Sequence, residues 1–157
     1  MEEQADATGT SAIKGGILVG YDSSPGAKVA VDWALKVAEL TGWTVHVLRS
    51  WGLTTAPRPA SMTGGYVPPV KEFGDAVLEQ LRSERETWTV PDGVRVELHT
   101  AQGQSSAKLL EHAADVDLLV VGARGAGGFR GLVFGSTADQ VVRNSPVPVT
   151  VVPAPKD

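Results

Sequence analysis

Short apolar runs alternate with amphipathic stretches along most of the chain, from about residue 14 to residue 154. The first run, Gly16-Ile17-Leu18-Val19-Gly20-Tyr21, ends at Asp22, and its length and flanking glycines predict a buried strand. Ser23-Ser24-Pro25 then predicts a helix start, with a serine N-cap and proline at the first helical position, where no N–H is needed. Ala27, Ala30, Val31, Ala34, Leu35 and Ala38 recur at helical spacing, and Gly42 supplies the stop. Thr44 to Trp51 reads as a second strand. Residues 52–70 hold four of the ten prolines, so no regular element runs through them. Phe73, Val77, Leu81 and Trp88 mark one face of a second helix, and Val94 to Leu98 alternates as a strand with one face exposed. A third helix starts between Gly103 and Ser106, with Ala107, Leu110 and Ala114 expected on its inner face. Val116 to Val121 is a nearly continuous apolar strand, and six glycines follow within Gly122 to Gly135. Ser136 opens a last short helix, where Thr137 and Gln140 have capping-box spacing. Val147 to Val152 is a fifth strand, and Pro148, which cannot donate to a ladder, puts it at a sheet edge.

The resulting β-α-β-α-β-α-β-α-β order predicts an α/β fold. It is an open five-stranded parallel sheet with helices on both faces and right-handed crossovers. Residues 1–13 read as a disordered polar tail and 14–154 as one domain. Composition narrows the picture further. With 42% hydrophobic and 20% charged residues, the chain is neither a disordered tail nor a membrane protein. No apolar run approaches the roughly 20 residues that span a bilayer. The opening MEEQADATGTSA has no basic or apolar leader region, and cysteine is absent; the expectation is a cytoplasmic protein without disulfides or thiolate metal sites. A net charge of -4 with no long basic run argues against nucleic acid or an anionic membrane as partner.

In an open α/β sheet, ligands bind beyond the carboxyl ends of the strands, where strand order reverses. The loops after the first and fourth strands are the two that could meet there. The second, from Gly122 to Thr137, combines glycine backbone, Arg124 and Arg130, and Ser136-Thr137 at a helix start. Each feature favours an anion: glycine permits close approach, exposed N–H groups donate, the helix start is partially positive, and arginine adds charge-assisted bonds to phosphate. The loop is not a P-loop, because 122–137 contain no lysine. It is not a dinucleotide fingerprint either, because Gly125-x-Gly127 is followed by Arg130 where the third glycine belongs.

Gly122, Gly125, Gly135 and Ser136 do fit the pattern G-x2-G-x9-G-[ST]. With the Ile17-to-Ser24 opening and the Asn144-to-Val149 stretch, the chain resembles the ATP-binding subgroup of the universal stress protein family over residues 14–153. The resemblance implies a Rossmann-like fold of the adenine-nucleotide alpha-hydrolase type, and ATP with Mg2+ as the ligand. Carried over residue by residue, Gly122, Gly125 and Gly135-Ser136-Thr137 would cradle the phosphates. Arg124 and Arg130 would contact them, Asp22 and Ser23 would lie near the ribose or a magnesium held by Asp22, and the backbone around Val47 to Arg49 would lie near the adenine. The chain departs from the family at Gly103, which lacks a proline shortly after it.

Plainer readings stand beside these. The glycines could serve a tight turn, Asp22 could cap the first helix, and both arginines could be solvated. His46, His99 and His112 lack metal-like spacing and suit packing or surface roles, and Trp33, Trp43, Trp51 and Trp88 suit the core. Ser136 has neither a neighbouring histidine nor a G-x-S-x-G context, the features that mark a serine nucleophile. The expected function is a nucleotide-sensing regulator with little or no hydrolysis. It would be homodimeric through the strand from Val147 to Val152, too apolar for a free edge. The alternatives are a slow ATPase or autophosphorylating enzyme using Ser136 or Thr137, and a member without nucleotide that acts through protein partners.

Overall fold

A computed structural model describes residues 12–124 and 134–155. Its elements run β1 (Ile17–Gly20), α1 (Pro25–Thr41), β2 (Val45–Trp51), α2 (Val70–Arg85), β3 (Val96–Gln102), α3 (Ser105–Ala113), β4 (Leu118–Gly122), α4 (Ser136–Asn144) and β5 (Val149–Val152). All strand pairs are parallel, in the order β3-β2-β1-β4-β5. Strand order therefore reverses between β1 and β4, and β5 lies at an edge.

The period-2 alternation of the strands builds two cores. Ile17, Val19, Val45, Val47 and Val120 pack with Ala30, Val31, Ala34 and Leu35 of α1 and Leu81 of α2. On the opposite face Leu18, Leu48, Leu119 and Val121 meet Leu109 and Ala113 of α3 and Ala138 and Val141 of α4. Ile13, which the hydrophobic pattern assigns to the tail, is buried in this second core. A smaller cluster of Trp51, Phe73 and Val77 lies under the segment that follows β2.

The ends of α1 follow the sequence chemistry. Ser24 is the N-cap, its hydroxyl accepting the Ala27 N–H, and Pro25 occupies the first turn. Gly42 closes the helix at φ 78°, a left-handed conformation that glycine adopts without steric cost.

Four local expectations are corrected. On α3 the buried residues are Ser106, Leu109 and Ala113, so the inner face is rotated by one position from Ala107, Leu110 and Ala114. Trp88 lies beyond the end of α2, with its ring edge-on to Tyr21 at 5.3 Å. β3 begins two residues later than Val94 and continues to Gln102, burying His99 and Thr100. At α4 the N-cap is Gly135 and no side chain caps the helix, so Thr137 and Gln140 form no capping box. Among the described residues, no helix is long and apolar enough to cross a membrane.

Candidate functional site

The reversal point brings the β1–α1 turn against the end of β4, backbone to backbone. A Cβ placed on Gly26 would lie 2.3 Å from the Arg124 carbonyl oxygen, and one on Gly122 would lie 2.6 Å from the Gly26 carbonyl oxygen. Both positions exclude a side chain because main chain occupies the space. The glycine of Gly122 is thus demanded by packing within the fold as well as by the ligand role expected of it. Ala123 donates its N–H to the Val152 carbonyl at 2.8 Å and accepts from Gly135 N–H at 2.7 Å, which brings the start of α4 to the same rim.

Asp22, Ser23, Gly122, Arg124, Gly135, Ser136 and Thr137 therefore lie at or just beyond the carboxyl ends of β1 and β4, where the start of α4 also arrives. Arg124 is exposed there, and Ser136 and Thr137 form the uncapped first turn of α4. Such a turn offers unsatisfied N–H groups and partial positive charge. Gly125 and Arg130 lie outside the described residues. Val47 is fully buried between Val19 and Leu98 in the register, so its side chain belongs to the core. β2 runs three residues past Leu48, the partner of Gly20 at the end of β1, and so Arg49, Ser50 and Trp51 flank the reversal point.

Asp22 is half-buried, and its Oδ1 accepts the Ser24 N–H at 3.0 Å, a tight turn that steadies the start of α1. Ser23 adopts φ 68°, the one described non-glycine residue in the left-handed region. That conformation costs about 1 kcal/mol or more, and side-chain bonds hold it. Ser23 Oγ donates to Glu84 Oε2 at 2.9 Å and accepts from Arg49 Nη1. Tyr21 Oη donates to Glu84 Oε1 at 2.6 Å. Burial, reinforced by the Glu84 carboxylate, holds the Tyr21 phenol far above its ordinary pKa, so it remains a donor.

Arg49 is half-buried, and no described carboxylate lies within ion-pair distance of it. Tyr21 and Glu84 were not among the residues expected to shape this site, and Arg49 was expected near it through its backbone alone, not through the side chain that reaches Ser23. Arg49 carries a readable signal, an arginine inside the otherwise apolar run of β2. Glu84 carries none, since its partners lie 61 and 63 residues away.

Two histidines take packing roles, as expected, and meet each other there. His46 on β2 and His99 on β3 are buried with Nδ1 of the first 3.0 Å from Nε2 of the second. Glu97 Oε2 lies 3.6 Å from His46 Nδ1. Burial depresses both imidazoles, His99 to about 4, with His46 and His112 adding repulsion at His99 and Glu97 opposing the shift at His46. Among the described residues, no group of three or more histidine, aspartate or glutamate side chains could hold a metal.

A family model for the universal stress protein family matches residues 16–153. A universal stress protein of Mycolicibacterium smegmatis is 33% identical over 144 residues, covering 87% of this chain and 45% of the relative. Universal stress protein YxiE of Bacillus subtilis is 32% identical over 153 residues, covering 87% of this chain and 97% of the relative. The chain thus spans about half of the first relative and nearly all of the second. Among solved structures, universal stress protein UspA from Lactobacillus plantarum superposes with TM-score 0.67 at 22% identity, over 91% of this chain and 99% of that one. A universal stress protein in complex with cAMP gives TM-score 0.61 at 23% identity, over 92% and 100% of the two chains. One from Archaeoglobus fulgidus in complex with dAMP gives 0.57 at 21% identity, over 90% and 99%. The family match over most of the chain, on a sheet with the same architecture, places the chain in the universal stress protein family.

Proposed function

We propose that this protein binds ATP where the β1–α1 turn meets the end of β4, and acts as a homodimeric, nucleotide-sensing regulator in the cytoplasm with little or no hydrolysis. The observation that carries the reading is the meeting of Gly26 with Gly122 and Arg124 at the reversal point, beside an α4 start that no side chain caps. A phosphate there would receive the N–H groups and dipole of that helix, and Arg49 and Arg124 supply positive charge at the rim. The family pattern of Gly122, Gly125, Gly135 and Ser136 favours a polyphosphate chain, and the adenine nucleotides of the structural neighbours favour the base. Magnesium fits as a companion of the phosphates: Asp22 offers one carboxylate, and Mg2+ commonly takes one or two carboxylates with substrate phosphates and water.

The dimer reading rests on β5. It is an edge strand carrying Val149 and Val151, half-buried, and α4, which packs on it, exposes Val142. An apolar edge of this kind is normally covered.

Melting curves test the ligand. Mg2+–ATP at 100 times its Kd contributes about 2.7 kcal/mol, a rise of several degrees at about 2–4 °C per kcal/mol. An unmoved curve at millimolar Mg2+–ATP contradicts the reading, and a rise with GTP equal to that with ATP contradicts the adenine preference.

A further inference from the structure

A cavity lies under the segment joining β2 to α2, and none of its lining residues is among those assigned to the reversal point. It has a volume of about 520 Å³, and Leu53, Met62, Val67, Pro68 and Phe73 give it apolar walls while Arg58 is the one charged residue in its lining. This is within the usual size range of small-molecule pockets, which are mostly apolar with a few placed polar groups. The segment around it is built rather than loose. Ala56 N–H bonds the Gly52 carbonyl at 2.9 Å, Met62 N–H the Pro59 carbonyl at 3.0 Å and Tyr66 N–H the Thr63 carbonyl at 3.0 Å. Its floor is the cluster of Trp51, Phe73 and Val77, with Ala56 and Met62 packed on it.

Two features of this region are left without a partner. Of the seven large hydrophobic residues exposed among the described residues, four (Leu53, Tyr66, Val67 and Val70) fall in this short stretch. Clustered apolar exposure of this sort marks a binding surface more often than scattered residues do. The second is charge. Arg58 has no hydrogen bond or ion pair among the described residues, while the nearby acids are engaged: Asp75 with Lys71 at 3.3 Å, and Glu72 with the Ser61 hydroxyl at 3.3 Å.

We propose that this cavity is a second ligand site, for a small amphipathic anion whose apolar body fills the space between Met62, Val67 and Phe73 and whose carboxylate or equivalent oxyanion pairs with Arg58. Apolar walls take an apolar body, and one unpaired guanidinium selects a single anionic head, with which arginine forms bidentate bonds. The site is independent of the nucleotide reading. Trp51 lies against Phe73 and Met62, so among the four tryptophans its emission reports occupancy, isolated as the signal lost in Trp51→Phe.

Decanoate and decan-1-ol, matched in chain length, are titrated into the full chain with tryptophan emission and calorimetry as readouts. Decanoate is expected to bind once per chain, about tenfold or more tighter than the alcohol, as befits one charge-assisted contact. Arg58→Gln removes that preference and leaves the alcohol's affinity unchanged; Val67→Asp abolishes both. Equal affinities for decanoate and alcohol in the unmodified protein overturn the anion site, and so does a preference that survives Arg58→Gln. Absence of binding by either probe also overturns it. Light scattering on the same sample then identifies a second copy as the occupant if Val67→Asp halves the mass. Melting with Mg2+–ATP, run on each variant, stays as in the unmodified protein whichever result is obtained.

Discussion

Acidification is expected to destabilise this fold through the His46–His99 pair, by an amount the structure sets. His99 is fully buried, and its imidazole titrates at about 4 in the folded chain against an ordinary 6.5. The folded state therefore resists protonation more than the unfolded state does. The neutral form is favoured in the fold, so stability is complete above about pH 6.5 and is lost as pH falls towards 4. One such proton costs about 2 kcal/mol by pH 5 and about 3 kcal/mol below pH 4. His46, shifted in the same direction, adds to that loss. At about 2–4 °C per kcal/mol, the melting temperature should fall by about 4–8 °C between pH 8 and pH 5. The control is the double variant His46→Leu with His99→Leu. Removing both partners together leaves neither nitrogen stranded, and such a swap is close to neutral at pH 8. Melting by circular dichroism at pH 8, 6 and 5 should show the unmodified protein losing about 2 kcal/mol more than the double variant. Parallel pH profiles for the two proteins would refute the reasoning, because the excess loss belongs to the imidazoles alone.

Three further outcomes are expected. Ser24→Ala removes the hydroxyl that accepts the Ala27 N–H and should cost about 1 kcal/mol in urea unfolding. Gly26→Ala drives a methyl to 2.3 Å from the Arg124 carbonyl oxygen; since the obstacle is main chain, the expected loss is about 1–3 kcal/mol, read from the denaturation midpoint. Hydrolysis of ATP should stay below about one turnover per second, and Asp22→Asn should weaken magnesium-dependent binding while scarcely changing that rate. A faster rate that collapses in Asp22→Asn with affinity retained would make Asp22 a catalytic base.

Local chemistry was legible at the ends of α1 but misleading at α4, where Thr137 and Gln140 form no capping box, and long-range partnerships were not legible. Ser24-Pro25 and Gly42 announce the ends of α1 because capping depends on residues a few positions apart. The runs around Val19, Val47 and Val120 announce a buried parallel sheet, and with it the reversal point. On α3, Ala107, Leu110 and Ala114 fit the helical period as well as Ser106, Leu109 and Ala113 do, and the sheet beneath decides between them. The meeting of His46 with His99 depends on the register of β2 against β3. Ser23 to Glu84 spans two elements with no sequence mark on the acid. Gly122 illustrates a third case. Its place in the glycine pattern was readable, but its steric conflict with Gly26 belongs to the packed fold.

Amide hydrogen exchange with and without Mg2+–ATP tests the central claim most directly, because it locates the ligand as well as detecting it. Protection is expected in peptides covering Asp22 to Gly26 and Gly122 to Thr137, with the segment from Leu53 to Pro68 unchanged. Saturating Mg2+–ATP that leaves exchange unaltered in both of the first two stretches would contradict nucleotide binding at the reversal point.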